Sequence, residues 1–333
     1  MRIVEVTAFG GPEVLVARDA PDPVAGPDEV LIEVTAVDVL FLDTQLRAGW
    51  GEGFFPVKPP YVPGDGVTGT VVATGEGVDP GWAGRRVVAR TGKPISEGSP
   101  ILAPVGGYAT KAVARTGSVV EIPAGLGPHE ALALLHDGPT ALGLVDASGV
   151  GPGDAVLVTA AGGSLGVVIT QLATAAGARV IGAARGRAKL DLAREAGAED
   201  AVDYTEEGWA ERVREQTGGV RAVFDGAGGA LGRQALEAAA SGAVFFAYGS
   251  AGGTFADFTA EEAAARDVRV IGIGDGPPGI DRVRELIGRS LAEAAAGRLR
   301  PHVGQTFPLE RAADAHAAVA ARTTLGKTLL TCD

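Results

Sequence analysis

A glycine-rich turn between an apolar strand and a helix is the segment of this chain whose residue types indicate chemistry most directly. The strand 155–159 runs into AGGSLG (161–166), and helical periodicity follows at once. Dinucleotide-binding turns have the pattern Gly-x-Gly-x-x-Gly in this context; here Ala161 replaces the first glycine, while Gly163 and Gly166 hold the other two places. Backbone amides at the start of the helix favour a negative ligand. The turn therefore predicts a bound dinucleotide pyrophosphate, the alternative being a purely structural turn.

The end of the second strand indicates which dinucleotide is expected. An NAD site usually has Asp or Glu about 20 residues after the turn, where the acid binds the ribose 2′-hydroxyl. Here Ala184 stands at that place, and Arg185, Arg187 and Lys189 follow. A missing acid beside cations favours the 2′-phosphate of NADPH, with Arg185 as the first expected contact, Lys189 as the second and Arg187 facing solvent. The alternative is that these residues only form the solvent-exposed start of a helix. Arginine is common throughout the chain, because only five of the 29 basic residues are lysine, so arginines here need not bind phosphate.

The elements that must position this turn predict an α/β chain with two main parts. Residues 1 to about 120 contain short alternating runs separated by Gly, Pro and Asp, which is typical of strands and turns. From about residue 128, apolar runs of strand length alternate with helical stretches, which predicts βαβ units and a parallel sheet covered on both faces. A long amphipathic helix and a strand, helix and strand complete the chain.

Composition narrows the classes of partner. The net charge of -12 and pI near 4.9 argue against binding to nucleic acid or to an anionic membrane, both of which favour basic surfaces. No apolar run reaches the roughly 18 to 20 residues of a membrane span. The first residues lack the apolar core of a signal peptide, and the only cysteine is Cys332. We therefore expect a cytoplasmic protein with a small-molecule substrate.

Seven segments, in the same order along essentially the whole chain, resemble the zinc-free quinone oxidoreductase (ζ-crystallin-like) branch of the medium-chain dehydrogenase/reductase superfamily. They are LFLDTQLRAG (40–49), PYVPGDGVTGTVVATGEGV (60–78), GGYATKAV, HEALALLHDGPTAL, VFDGAGG, LERAADAH and LGKTLL. The resemblance implies a β-rich GroES-like catalytic domain (1–125), a Rossmann NADP-binding domain with a doubly wound parallel sheet (126–275), and a C-terminal helix with a return to the catalytic domain (276–333). It also implies a homodimer.

The same resemblance implies which residues contact NADPH, region by region. These are Thr140 beside the phosphate nearer the nicotinamide; Gly163, Ser164, Leu165 and Gly166 at the pyrophosphate; Arg185, Lys189 and Tyr204 around the 2′-phosphate; Gly226, Ala227, Tyr248 and Gly249 along the nicotinamide and its ribose; and Lys327, near the returning C-terminal strand.

Expected substrate contacts lie near the segment that begins at residue 40. Phe41, Trp50 and Tyr61 predict an apolar wall over a planar ring, the alternative being that each packs within its own domain. Leu40 stands where the branch often has Asn, which removes a polar contact beside substrate and nicotinamide. Gln45 occupies a position where Tyr is common, so the orientation of the substrate is expected to differ from that in relatives.

His136 is the candidate proton donor. It precedes the stretch 137–140, which the resemblance places near the nicotinamide, and a histidine that titrates there would donate a proton to the reduced substrate. The alternative is a polar histidine at the end of a helix.

The residue types indicate no catalytic metal. A catalytic zinc site needs three protein ligands. The one cysteine is next to last in the chain, and Asp65 stands where zinc-dependent relatives usually have a ligand histidine. The four-cysteine structural lobe of those relatives is absent as well. Without a Lewis acid, a plain alcohol is a poor hydride donor. A conjugated carbonyl compound, which accepts a hydride, is the better substrate.

These observations together predict a zinc-independent, NADPH-dependent oxidoreductase that transfers a hydride to a quinone or an α,β-unsaturated carbonyl compound. One alternative is a trans-acting enoyl reductase on acyl-carrier substrates, although an acidic carrier would favour a more basic surface. The other is a non-catalytic NADPH-binding sensor, which the replacement of Asn by Leu40 keeps open.

Overall fold

The chain divides into two compact units in the computed structural model, which describes residues 1–97, 99, 101–272, 274–275 and 279–332. One unit combines Met1–Pro139 with the C-terminal elements, and the other begins at Thr140. The resemblance implies a first boundary at 125/126, whereas the structure divides the chain between Pro139 and Thr140, inside a helix. The predicted boundary at 275/276 falls at the edge of residues outside the described ranges.

The N-terminal part of the first unit is mostly strand, as predicted. Its strands are β1 (Arg2–Val6), β2 (Leu15–Asp19), β3 (Glu29–Val39), β4 (Gly66–Thr74), β5 (Arg86–Arg90), β6 (Lys93–Pro94), β7 (Leu102–Ala103), β8 (Lys111–Arg115) and β9 (Val119–Glu121). Its helices are α1 (Phe41–Arg47) and α2 (Pro128–Ser148), and short 3₁₀ turns lie at Pro12–Val14, Pro80–Trp82 and Thr116–Ser118.

Strand β3 explains how this unit forms its core. Its first half alternates, with Val30, Ile32 and Val34 buried between more exposed residues, which suits a sheet with one covered face. From Ala36 to Val39 both faces are buried, so Asp38 is a charged residue within a fully buried stretch.

The second unit has the alternating order that the sequence predicts. Its elements are β10 (Ala155–Thr159), α3 (Ser164–Ala175), β11 (Arg179–Ala184), α4 (Arg187–Glu195), β12 (Asp200–Asp203), α5 (Trp209–Thr217), β13 (Val220–Asp225), α6 (Gly229–Glu237), β14 (Ala239–Ala247), α7 (Ala260–Ala265) and β15 (Arg269–Gly272).

The six strands of this unit form one parallel sheet in the order β12-β11-β10-β13-β14-β15. The central strands β10 and β11 are short, almost wholly buried apolar runs because both faces are covered, and large side chains such as Phe224, Phe245 and Trp209 fill the core of this unit. The order reverses between β10 and β13. In open α/β sheets of this kind, ligands bind at the carboxyl ends of the strands at such a reversal.

The C-terminal elements return to the first unit. They are α8 (Ile280–Ala295), β16 (Val303–Pro308), a 3₁₀ turn (Leu309–Arg311), α9 (Ala312–Ala320) and β17 (Lys327–Thr331). β17 pairs with β3, which completes a seven-stranded sheet in the order β16-β17-β3-β4-β5-β9, with β8 also on β3. None of the described helices combines the length and apolar character needed to cross a lipid bilayer.

Candidate functional site

The glycine turn of the second unit has the geometry of a phosphate-binding turn. Gly163 is the N-cap of α3, and its N–H donates to the carbonyl of Ala160 at 2.8 Å. A Cβ at Gly166 would lie 2.6 Å from the carbonyl oxygen of Ala160, so only glycine lets α3 start this close to β10. α3 begins at Ser164, so the amides of Ser164 and Leu165 lie at the positive end of the helix dipole. These amides are the groups that a pyrophosphate would accept hydrogen bonds from.

Lys189 and the glycine turn lie side by side. A Cβ at Gly162 would come 2.6 Å from the Cβ of Lys189, so the stem of this lysine crosses the turn where no other side chain would fit. Lys189 is half-buried in α4. The cation predicted second for the 2′-phosphate is therefore beside the turn predicted for the pyrophosphate.

Arg185 follows directly after β11 and is exposed. Tyr204 is close to it in the fold, because its N–H donates to the carbonyl of Ala184 at 3.2 Å. Arg187 is 93% exposed and lies 3.5 Å from Asp191, in agreement with its predicted position toward solvent.

Asp203, at the end of β12, is a neighbour that the sequence did not single out. Its carboxylate accepts the N–H of Gly186 at 2.9 Å, in the turn between Arg185 and α4. Its pKa is lowered because hydrogen bonds from Thr205 and Gly186, together with the nearby Arg185, outweigh the opposing effect of burial. The carboxylate therefore stays charged and holds the backbone that carries Arg185.

The four residues predicted along the nicotinamide and its ribose come together at the ends of β13 and β14. A Cβ at Gly226 would lie 2.9 Å from the hydroxyl of Tyr248, and a Cβ at Gly249 would overlap the backbone of Gly226. Ala227, the residue after Gly226, is buried. Thr140, the remaining predicted contact of this unit, is half-buried in α2.

Lys327, also predicted to contact the cofactor, lies in the first unit and is buried. Its ammonium is 3.0 Å from the carboxylate of Asp38 and 3.5 Å from that of Asp137. Burial opposes its charge, but these two carboxylates outweigh burial and raise the pKa of Lys327. The ammonium of Lys327 is thus paired with protein carboxylates in the interior of the first unit. The sequence did not predict this placement.

His136 is the centre of that network. Its Nδ1 lies 2.9 Å from Asp38 and its Nε2 lies 3.0 Å from Asp65, so both ring nitrogens face carboxylates. Burial disfavours the charged ring, yet the two carboxylates prevail and raise the pKa of His136 to about 9. The ring is in the middle of α2 and its side chain is 17% exposed. It is therefore an imidazolium at neutral pH, not the polar helix-end histidine of the alternative interpretation.

The remaining partners complete the buried ionic cluster, which we define as Asp38, Asp65, Arg90, His136, Asp137 and Lys327. Arg90 donates to Asp65 at 2.7 Å, and the N–H of Gly92 donates to the other oxygen of Asp65 at 2.7 Å. Although burial opposes it, these contacts and His136 lower the pKa of Asp65. A Cβ at Gly66 would overlap Asp38, so the glycine provides the space for the cluster.

A second buried polar group surrounds Tyr108. Its hydroxyl is 2.8 Å from Nε2 of His316 and 3.3 Å from the carboxyl of Asp43. Burial raises the pKa of Asp43 to about 8, and burial together with Arg47 lowers the pKa of His316 to about 3. Asp43 is therefore a neutral acid and His316 a neutral base at pH 7.

The residues predicted to contact substrate lie around α1. Leu40 is its N-cap and Phe41 its first residue. Trp50 lies in the turn that follows and is 46% exposed, as a residue available to a ligand must be. Tyr61 is half-buried, packs with the cluster around Leu46, and lines an open groove of about 440 Å³ on this unit.

The described residues offer no group of three His, Cys, Asp or Glu side chains arranged to hold a metal ion. Asp38, Asp65 and His136 come near one another, but both ring nitrogens face protein carboxylates and the carboxylates face protein cations.

Comparisons with known proteins identify the families that the two main parts of the chain resemble. Residues 26–124 match the alcohol dehydrogenase GroES-like domain, and residues 164–289 match a family described as zinc-binding dehydrogenase, although that region of this chain contains neither Cys nor His.

Three similar proteins illustrate the match. A quinone oxidoreductase of Pseudomonas aeruginosa is 29% identical, with 98% of each chain covered. A 2-haloacrylate reductase of a Burkholderia species is 30% identical, with 96% of each covered. The crystal structure of Escherichia coli quinone oxidoreductase in complex with NADPH has a TM-score of 0.89 at 26% identity, with 100% of each chain covered.

Proposed function

Because the chain belongs to the zinc-free quinone oxidoreductase branch of the medium-chain dehydrogenase/reductase superfamily and is an NADPH-dependent oxidoreductase, we propose that it reduces a quinone or an α,β-unsaturated carbonyl compound. Two named relatives support this acceptor class, one a quinone oxidoreductase and the other a reductase of a haloacrylate, which is a conjugated compound.

The residues of the second unit fit the cofactor. Gly163 and Gly166 let α3 begin close against β10, which places its first backbone amides at the turn, and exposed Arg185 together with Lys189 would provide the positive charge that a 2′-phosphate requires. Bound NADPH supplies a hydride to the acceptor, which also takes up one proton. The chain's own contribution is to bind and orient both molecules.

The proton is proposed to come from solvent rather than from His136. Both N–H groups of the ring already face carboxylates at 2.9 and 3.0 Å, and a pKa of about 9 makes the ring a weak acid at neutral pH. A general acid works best when its pKa is near the operating pH. His136 is therefore a positioning residue that joins α2 to β3 and to the turn before β4.

Trp50 is proposed as the residue that contacts the planar face of the acceptor. It is the exposed member of the predicted wall, and aromatic rings stack favourably on one another. Leu40, in the position where relatives often have Asn, leaves the acceptor without a polar contact there. We expect acceptors with extended apolar rings to be preferred for this reason.

Consumption of NADPH in the presence of benzoquinone, naphthoquinones, simple enones and a carrier-linked enoyl thioester tests the proposal. We expect turnover with quinones or enones that a metal chelator does not abolish. Turnover with the carrier-linked substrate alone would establish the enoyl reductase instead. Binding of NADPH without turnover on any acceptor would contradict the proposed substrate class.

We also propose a cytoplasmic homodimer, as expected from the branch. Analytical ultracentrifugation of the purified chain tests the dimer, and a purely monomeric species at micromolar concentration would contradict it.

A further inference from the structure

Two buried polar side chains end the strands on either side of the reversal in the parallel sheet. Thr159 is the last residue of β10 and Asp225 the last residue of β13, and both are completely buried. The fold places a ligand at these strand ends. Neither residue contributes to the reduction described so far.

The hydroxyl of Thr159 uses its full hydrogen-bonding capacity at this point. It donates to Oδ1 of Asp225 at 2.6 Å and accepts the N–H groups of Gly226 at 3.0 Å and Ala227 at 3.1 Å. A hydroxyl has one donor and two acceptor lone pairs. Any replacement without the oxygen therefore takes a partner from two buried groups, Oδ1 of Asp225 and the N–H of Ala227, and from the partly buried N–H of Gly226.

Asp225 completes the same arrangement. Its Oδ1 accepts the N–H of Ala227 at 3.1 Å, and its carboxylate accepts the N–H of Gly228 at 3.2 Å. Three successive N–H groups, from 226 to 228, thus point to this pair. The backbone carbonyl of Asp225 in turn accepts the N–H groups of Tyr248 at 3.2 Å and Gly249 at 3.0 Å.

Both loops expected along the nicotinamide are therefore fixed by one pair of residues. The loop after β13 is held by side-chain acceptors, and the loop after β14 is held by the Asp225 carbonyl and by close packing of Gly249 on Gly226. The cations expected at the 2′-phosphate follow β11, which lies on the opposite side of β10 from β13.

We propose that Thr159 and Asp225 are a positioning pair that sets the binding geometry for the nicotinamide half of NADPH and leaves the adenosine half unaffected. This proposal rests on the NADPH-dependent function stated above. The pair acts through the backbone of residues 226–228, so neither side chain needs to contact the cofactor.

Binding titrations of Thr159→Val with two probes test the selectivity. NADPH reports both halves of the site, whereas adenosine 2′,5′-bisphosphate reports the adenosine half alone. Valine has the shape of threonine without the hydroxyl, so the loop after β13 loses an acceptor that holds it in place. NADPH must then restore the loop to its binding geometry, and a cost equal to that of one lost hydrogen-bonding partner corresponds to roughly tenfold to a hundredfold in affinity. We expect this loss for NADPH, with less than about a twofold change for the bisphosphate. Thr159→Ser, which keeps the oxygen, is the matched control and should bind both probes as the wild type does.

Steady-state kinetics provide the second measurement. A misplaced nicotinamide lowers the rate of hydride transfer, so Thr159→Val should reduce kcat as well as raise the KM for NADPH. Asp225→Asn keeps the size of the side chain but places an amide against the N–H of Gly228. Asp225→Asn should show the same selectivity between the two probes. Its binding can be measured even where the valine variant fails to fold.

The possible outcomes separate the pair from the function itself. Equal weakening of both probes in both variants would show that the pair only stabilises the unit, and unchanged binding of NADPH would show that the loops do not depend on it. Either result overturns the inference while the cofactor assignment stands. Failure of the wild type to bind either probe would overturn the NADPH-dependent function on which the inference rests.

Discussion

In the first unit, Asp38 and Asp65 are buried with charged partners, namely His136, Lys327 and Arg90. In the second unit, the buried carboxylate of Asp225 has a hydroxyl and backbone N–H groups as its partners. Both arrangements provide partners for a buried acidic side chain, but they differ in what they leave for a ligand. The ionic cluster uses its charges internally, whereas the second unit keeps its cations at the surface.

The difference follows from the cost of burying ions. Two opposite charges attract strongly in a low dielectric, but each must first lose its hydration, so the pair is stable only while it is complete. Such a cluster suits positioning of strands and helices. A phosphate ligand instead needs fixed dipoles and nearby cations, and we propose the start of α3, Arg185 and Lys189 for these roles.

Removal of one member of the ionic cluster should give the largest effect. Asp38→Ala leaves His136 and Lys327 without their shared carboxylate, and breaking a buried pair in this way costs about 3 to 5 kcal/mol. Urea denaturation measures the change in the free energy of unfolding. Asp191→Ala removes an exposed partner of Arg187 and is the matched control, with an expected cost below about 1 kcal/mol. Similar losses in the two variants would contradict the contrast between buried and exposed pairs.

The charge of His136 should make stability depend on pH. Its pKa rises from an ordinary 6.5 to about 9 on folding, so the folded state holds the proton more tightly than the unfolded state. The stabilisation is complete below pH 6.5 and is lost as the pH rises through about 9, by about 3 kcal/mol in total.

Urea denaturation at several pH values measures this loss. Burial raises the pKa of Asp43 to about 8, so Asp43 also makes the protein less stable as the pH rises, but at lower pH than His136 does. The free energy of unfolding should therefore be compared between pH 8 and 9. His136→Gln should flatten the dependence there. The same slope in the variant and the wild type would assign the effect to other groups.

Replacement of Arg185 should give a smaller effect that is confined to one cofactor. Hydrogen bonds to charged groups contribute about 1.5 to 3 kcal/mol, so Arg185→Ala should weaken NADPH roughly tenfold to a hundredfold. NADH lacks the 2′-phosphate and should be affected far less. Arg187→Ala, which removes a residue that is 93% exposed in the same turn, is the control and should leave both cofactors unchanged. An equal loss for NADPH and NADH would remove Arg185 from the phosphate site.

Local patterns were enough to predict the parallel sheet and a dinucleotide cofactor. The turn at Gly163 and Gly166 and the cation at Arg185 are recognisable because strand, glycines and helix are consecutive in the chain. The membership of the family and the use of NADPH are confirmed by the comparisons. The individual contact residues remain predictions, and the variants above test them.

Partners that are distant in the chain could not be predicted in this way. Asp38 and His136 are 98 residues apart, and Thr159 and Asp225 are 66 apart, so no spacing rule connects them. A weak signal did exist, since Asp38 is a charge within the apolar end of β3, from Ala36 to Val39. The resemblance implies that Lys327 contacts the cofactor, and this contact stays a prediction. Its pairing with Asp38 depends on β17 lying beside β3, which nothing in its local sequence shows.

Titration of the purified wild-type chain with NADPH and NADH, in the presence of a metal chelator, tests the central claim most directly. The account predicts saturable binding of NADPH that is at least roughly tenfold tighter than that of NADH, since one charged contact is worth about that factor. No association with either nucleotide, or equal affinity for the two, would contradict it.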